Sequence, residues 1–210
     1  MYLIWFITFC LVGLSTQEAV NVSVYYISSC PSSQRFIGSK LHQAYQKLGS
    51  EALNVKLYPT IVGYNTYGEE PYISYDIDCI NGDEECFANK MQACALHLFG
   101  FNENTINFEG CVMSSRQPEN KRVVRRCAKK SQIEWSSIKK CINTRGDEIL
   151  TEIYDEFKEL ISEIDHFPHI IFNGVYDERT ARKASINFLS TVCEMYKEKP
   201  AGCDIQKPTA

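Results

Sequence analysis

Val20-Asn21-Val22-Ser23-Val24-Tyr25-Tyr26-Ile27 runs through Ser28-Ser29 into Cys30-Pro31-Ser32-Ser33. The first segment is apolar and β-branched, which predicts a buried strand. Phe36, Ile37, Leu41, Ala44, Tyr45 and Leu48 then recur at helical spacing as far as Gly49, so a helix follows the strand directly. Pro31 suits its first turn, where a missing N–H costs nothing. Cys30 therefore stands at a helix N-terminus, at the positive end of the macrodipole, a setting that favours a thiolate. A redox dithiol in this place would carry its second sulfur at position 33, and Ser33 occupies it.

Outward from this stretch, Val55-Lys56-Leu57-Tyr58 alternates apolar and polar and reads as a second strand. Residues 63–78, rich in Gly, Tyr, Asn and acid, read as a loop. Residues 79–145 hold Cys79, Cys86, Cys94, Cys111, Cys127 and Cys141 with short helical patterns, and read as a disulfide-stapled insertion. Glu148 to Ile164 is an amphipathic helix with Ile149, Ile153, Phe157, Leu160, Ile161 and Ile164 on one face. Pro168 opens a strand over His169 to Phe172, Asn173-Gly174 makes a turn that favours positive φ, Val175-Tyr176 pairs back, and Thr180 to Lys197 forms the last helix. This order of elements is that of an α/β protein with a thioredoxin-like fold and a disulfide-rich helical insertion, one domain over 16–210. In that fold Pro168 is expected to be cis and to face Cys30. His169 is a candidate to approach the thiolate, although a strand histidine packed or exposed without a role is the plainer expectation.

Met1 to Leu14 is almost wholly apolar yet too short to span a bilayer. With Gly13 and Ser15 at cleavage-compatible positions, residues 1–15 read as a signal peptide. No second apolar span follows, so no transmembrane segment is expected in the mature chain. Of ten cysteines, Cys10 falls in the leader and nine remain, an odd number. The simplest arrangement in an oxidising compartment is four disulfides and one free thiol. Cys30, opposite Ser33, is the natural free one, leaving Cys79, Cys86, Cys94, Cys111, Cys127, Cys141, Cys193 and Cys203 to pair. On one continuous helix Cys86 and Cys94 would be about 12 Å apart along the axis, beyond the ~7 Å that a disulfide spans, so they should not bond each other. Cys193 and Cys203 are the most local pair, because Pro200-Ala201-Gly202 lets the chain turn back. Metal is rejected, since the spacing of Cys79, Cys86 and Cys94 is not that of a zinc knuckle. No cofactor is implied. Asn21-Val22-Ser23 is the glycosylation sequon.

Lys121, Arg122, Arg125, Arg126, Lys129 and Lys130 crowd into ten residues of a chain whose net charge is −4. Asp147 to Asp165 is acidic by contrast. The plain expectation is two solvated faces; the functional one is a surface for anionic glycans or a negatively charged cell surface. Nucleic acid is excluded as a partner by the compartment and by the lack of aromatic or groove-reading context.

Cys79-Ile80-Asn81-Gly82-Asp83-Glu84-Glu85-Cys86-Phe87-Ala88-Asn89-Lys90-Met91-Gln92-Ala93-Cys94 resembles the signature C-Q-H-G-x-x-E-C-x-x-N-x-x-x-x-C of the gamma-interferon-inducible lysosomal thiol reductase (GILT) family. Cys79, Gly82, Glu85, Cys86, Asn89 and Cys94 fit; Ile80 and Asn81 depart from the Gln-His pair. The downstream cysteines fall in the family's order, and Pro168 to Gly174 resembles its cis-proline strand and turn. The resemblance implies a secreted or lysosomal protein that reduces protein disulfides at acid pH through Cys-x-x-Cys. Cys30 matches the first cysteine of that pair and nothing matches the second.

A dithiol reductase attacks with one thiolate and resolves the mixed disulfide with its neighbour. Cys30 is equipped for the first stroke, while Ser33 cannot perform the second and is left to donate a hydrogen bond to the sulfur. The leading expectation is a secreted protein without autonomous reductase activity that acts by binding a protein or a cell surface, with the lysosome as the alternative location. The rival is a thiol-dependent oxidoreductase using Cys30 alone. A third use of Cys30 is a disulfide-linked dimer.

Overall fold

A computed structural model of the chain describes residues 18–69 and 73–204; the expected signal peptide and Cys10 lie outside them. Strand β1 (Val20–Tyr26) is the centre of a three-stranded sheet of order β2-β1-β5. It runs parallel to β2 (Leu53–Pro59), with Val22 opposite Val55 and Val24 opposite Leu57. It runs antiparallel to β5 (His169–Phe172), with Tyr25 opposite His169. The connection from β1 to β2 is helical throughout: α1 (Pro31–Arg35), a π-helical turn (Phe36–Leu41) and α2 (His42–Ala52), which breaks at Gly49. Phe36, Ile37, Leu41, Ala44, Tyr45 and Leu48 are all buried against Val20, Val22, Val24 and Tyr26 of the sheet. These are the positions at which apolar residues recur in the sequence.

After β2 the chain forms a separate hairpin, β3 (Gly63–Tyr67) and β4 (Ser74–Asp78), where a loop was expected. Tyr64, Tyr75 and Ile77 supply an alternating set that packs on the neighbouring helices, and this pairing outweighs the Gly and acid content. Four helices follow: α3 (Asp83–Phe99), α4 (Glu103–Met113), α5 (Lys121–Lys130) and α6 (Trp135–Thr144). They surround a second apolar cluster that includes Met91, Cys94, Phe108, Val112, Val124, Cys127, Ile138 and Leu150. The disulfides Cys94–Cys141 and Cys111–Cys127 tie α3 to α6 and α4 to α5, and Cys79–Cys86 closes the turn into α3.

Helix α7 (Gly146–Glu163) returns to the sheet. Only Ile149 and Ile161 of its expected apolar face are fully buried; the others are half-buried. Phe157 packs edge-on to Tyr25 at 5.0 Å, and Tyr25 stacks on Tyr58 at 4.9 Å, on the sheet face opposite α1 and α2. The expected return strand at Val175-Tyr176 shrinks to a single bridge between Phe172 and Val175. Asn173 and Gly174 make the tight turn with φ of 49° and 77°, but Tyr176 then leaves the sheet to stack on His169 at 4.1 Å. The last helix is two: α8 (Glu178–Ile186) and α9 (Phe188–Glu194). Asn187 separates them because its side chain accepts from Ser190 N and caps α9. Cys193–Cys203 closes the C-terminal segment.

Candidate functional site

Cys30 lies where the end of β1 turns into α1. Its N–H bonds the Ile27 carbonyl at 3.1 Å, and its carbonyl accepts the Gln34 N–H at 2.9 Å as the first helical bond. The thiol is half-buried and free, and it donates to the Phe167 carbonyl at 3.7 Å. The peptide that follows that carbonyl, Phe167–Pro168, is cis. Ser33 is buried, and its hydroxyl has no hydrogen-bond partner among the described residues. The hydrogen bond from Ser33 to the sulfur is therefore absent; the sulfur faces the Pro168 loop. The other eight cysteines of the described region are all paired: Cys79–Cys86, Cys94–Cys141, Cys111–Cys127 and Cys193–Cys203. No second free thiol stands near Cys30 among the described residues.

The loop carrying Cys30 is clamped by side chains from the α3 segment. Asn89, fully buried, accepts the Ser28 N–H at 2.9 Å and donates to the Thr60 carbonyl at 2.8 Å, so one amide joins the site loop to the end of β2. Glu85, also buried, accepts from the Ser29 hydroxyl. Asn81 donates to both Ser29 Oγ, at 2.9 Å, and Glu85 Oε2, at 2.5 Å. Gln34 of α1 closes the ring by donating to the Ser28 carbonyl at 2.9 Å. The Cys79–Cys86 disulfide encloses Asn81 and Glu85. From the sequence, Glu85 and Asn89 stood only as motif letters; their spacing of four residues, one helical turn on α3, was the available sign that they work on one face.

Beneath the loop Tyr26 donates to Gln92 Oε1 at 2.7 Å and lies 3.3 Å from Glu109 Oε2. All three are completely buried. Burial pushes the Glu109 carboxyl up to about 8, against which the Tyr26 hydrogen bond acts in the lowering direction. The Tyr26 hydroxyl thus stands between Gln92 Oε1 and Glu109 Oε2, while Gln92 Nε2 and Glu109 Oε1 have no partner among the described residues. The helix around Gly38 presses on α4, since a Cβ there would lie 2.5 Å from Ser114 N. Any side chain at Gly38 would move the helix that Cys30 begins.

His169 is buried between Tyr176 and Tyr25, and neither ring nitrogen has a partner. Burial and then the neighbouring His166 hold its pKa below the usual range. It makes no recorded contact with Cys30. Two clefts flank the site. One of about 510 Å³ is lined by Ser32, Arg35, Lys40, His166, Pro168 and Arg182 among others. The other, of about 610 Å³, runs between the start of α1 and the end of α4, past Pro31, Arg35, Ser114 and Arg116. Asn21 is exposed on β1 and its side chain accepts from Asn54 at 2.7 Å. Lys121, Arg122, Arg125, Arg126, Lys129 and Lys130 are all exposed along α5, and none of them lines either cleft. Among the described residues no helix is long and apolar enough to cross a membrane.

With this geometry in place, comparison with known proteins gives one consistent answer. The family model for the gamma interferon inducible lysosomal thiol reductase (GILT) matches residues 21–131. GILT-like protein 1 of Drosophila melanogaster is 27% identical over 203 residues, covering 88% of this chain and 78% of its own. The gamma-interferon-inducible lysosomal thiol reductase-like protein of Anopheles gambiae is 29% identical, covering 89% and 81%. The gamma-interferon-inducible lysosomal thiol reductase of Carassius auratus is 27% identical, covering 88% and 72%. Among solved structures, DsbA from Mycobacterium tuberculosis superposes with a TM-score of 0.56 at 15% identity, covering 92% of this chain and 89% of its own. Chlamydia trachomatis DsbA gives 0.56 at 12%, covering 86% and 90%. At such identities these two speak for the thioredoxin-like fold alone.

Proposed function

The chain belongs to the gamma interferon inducible lysosomal thiol reductase family, and from that premise we propose that it is a single-sulfur member, which engages a partner through Cys30 and holds it without turning over by itself. The observation that carries this reading is the pairing state of the sulfurs: Cys30 is free and half-buried beside Pro168, and the remaining cysteines of the described region are committed to disulfides. In the available step the Cys30 thiolate attacks one sulfur of a partner disulfide. A Cys30–partner S–S bond forms, the partner's own S–S bond breaks, and its second sulfur leaves as a thiolate with the electron pair. Completing the reduction takes a second thiolate on the same face. Ser33 offers a hydroxyl, which forms no S–S bond, so the mixed disulfide lasts until an outside thiol removes it. Protein or cell-surface binding is the role that suits such a product. The disulfides support passage through an oxidising compartment, so we place the protein outside the cell, with the lysosome as the alternative and Asn21 as a glycan site.

The test is reduction of insulin disulfides at acid pH by the wild type, Cys30→Ser and Ser33→Cys, with and without glutathione. Without added thiol, stoichiometric pre-reduced wild type is expected to stop at the Cys30 mixed disulfide, whereas pre-reduced Ser33→Cys is expected to reduce one substrate disulfide per molecule and to close a disulfide within its own site; with glutathione supplying electrons, Ser33→Cys is expected to turn over. Release of fully reduced substrate by the pre-reduced wild type without any added thiol would overturn the reading. A second reading, a thiol-dependent oxidoreductase, is favoured by the cleft of about 510 Å³ beside Pro168, which has room for a small thiol and carries Arg35 and Lys40. Glutathione-dependent turnover that Cys30→Ser abolishes would select it. A non-reducing gel of native material shows whether Cys30 joins two chains.

A further inference from the structure

Helix α5 breaks two local rules at once. Its first turn has no acid and begins with Lys121 and Arg122, against the positive end of the macrodipole. By contrast α3 starts with Asp83, Glu84 and Glu85, as the dipole favours. Along α5, Lys121–Arg125, Arg122–Arg126, Arg125–Lys129 and Arg126–Lys130 are like-charged pairs one turn apart. Each such pair destabilises a helix. None of these six cations has an ion-pair partner among the described residues. The one further contact is Lys121 over the Phe87 ring at 5.6 Å.

What holds α5 in place is its other face. Val124, Cys127 and Ala128 are buried, Cys127 is bonded to Cys111, and Asn120 caps the N-terminus by accepting the Arg122 N–H at 3.0 Å. The cations therefore project from a fixed scaffold with little conformational freedom left in the backbone. Lys139 and Lys140 of α6 are exposed as well, and Arg116 precedes the helix. Between Arg116 and Lys140 there are nine Lys and Arg against Glu119 and Glu134, a local charge of +7 in a chain of net −4. Charge of one sign, concentrated and self-repelling, is relieved by a polyanion.

We propose that the exposed face of α5 is a docking surface for a sulfated polysaccharide. This face carries no exposed apolar or aromatic side chain of its own, since the valines and alanine of α5 point inward or lie half-buried. An interfacial membrane helix needs such residues to insert, and single-stranded nucleic acid needs aromatic platforms. A linear chain of sulfates needs only a stripe of cations, and Arg122, Arg125, Arg126 and Lys129 lie within a narrow arc over about two turns. Cys30 takes no part in this surface.

The experiment titrates the intact, disulfide-bonded protein with heparin, with desulfated heparin, and with vesicles rich in phosphatidylserine. Three forms are compared: wild type, the quadruple variant Arg122→Gln/Arg125→Gln/Arg126→Gln/Lys129→Gln, and a control, Lys47→Gln/Arg179→Gln. Heparin is expected to bind the wild type and the control alike, and the quadruple variant at least about tenfold more weakly, with binding falling as salt rises. Desulfation is expected to remove binding. Removing the like-charge pairs should leave the melting temperature of the quadruple variant unchanged or raised, so lost binding is not lost folding. Heparin binding that is absent, that survives desulfation, or that is equal in the quadruple variant overturns the proposal. Tighter binding to the vesicles than to heparin overturns it in favour of a membrane surface.

Discussion

Around β1 the sheet layer buries Val22, Val24, Tyr26, Phe36 and Leu57 and has one peripheral disulfide, Cys193–Cys203; the layer of α3 to α6 contains Cys79–Cys86, Cys94–Cys141 and Cys111–Cys127. Strand ladders and a parallel β1–β2 pair organise the first. The second is mostly helices of ten or eleven residues, a length that is marginal in isolation, and covalent ties take the place of a ladder. Cys30 belongs to the sheet layer by sequence, yet Asn89, Glu85 and Asn81 of the stapled layer hold its loop. The difference teaches that the crosslinked layer is the brace of the site.

That contrast can be broken most severely by cutting the brace. Removing Cys94–Cys141, which spans 47 residues, by paired Ala substitution is expected to lower stability by about 4 kcal/mol; the Cys193–Cys203 pair, spanning 10, should lower it by about 2.7 kcal/mol. Equal losses in a denaturant titration would show that the two layers do not differ in their dependence on crosslinks. Next comes Asn89→Ala. It strands the Ser28 N–H and the Thr60 carbonyl, and should lower stability by about 2–4 kcal/mol. It should also change the rate at which Cys30 is alkylated. An unchanged alkylation rate would deny Asn89 its role as a clamp.

The smallest effect concerns pH. Glu109 is raised to about 8 in the folded chain from 4.5. Its neutral form therefore contributes stability that is full below about 4.5 and is lost as pH rises through about 8. His169, lowered from 6.5, acts in the opposite sense: its contribution is present above 6.5 and is lost as pH falls through its folded value. Glu109→Gln should flatten the decline between about pH 5 and about pH 8, read from thermal melts across that range. If the decline persists in Glu109→Gln, the buried Tyr26–Gln92–Glu109 chain is not its source.

Much of this was legible in the sequence. The periodicity from Phe36 to Leu48 marks the helix face that the core buries, and Val20 to Ile27 marks the central strand, because burial of a face imposes a repeat on the chain. The hairpin of β3 and β4 was not legible, since Gly and acid mask a pairing that depends on Tyr64, Tyr75 and Ile77 meeting α7 and each other. Asn187, which splits the last helix, reads as an ordinary helical residue until its side chain is seen to cap. Glu109 gives no sign at all in one dimension, because only packing decides that a carboxyl is dry.

By itself the sequence determined the family, the serine three residues after Cys30 and the concentration of cations on α5; these are matters of residue identity and spacing. Tertiary structure alone decided how the six cysteines from Cys79 to Cys141 pair, that the Ser33 hydroxyl makes no bond to the sulfur, and that Asn89 and Glu85 grip the loop from another layer. Contacts between residues far apart in the chain arise from how buried surfaces fit together, and one-dimensional order holds no record of that fit.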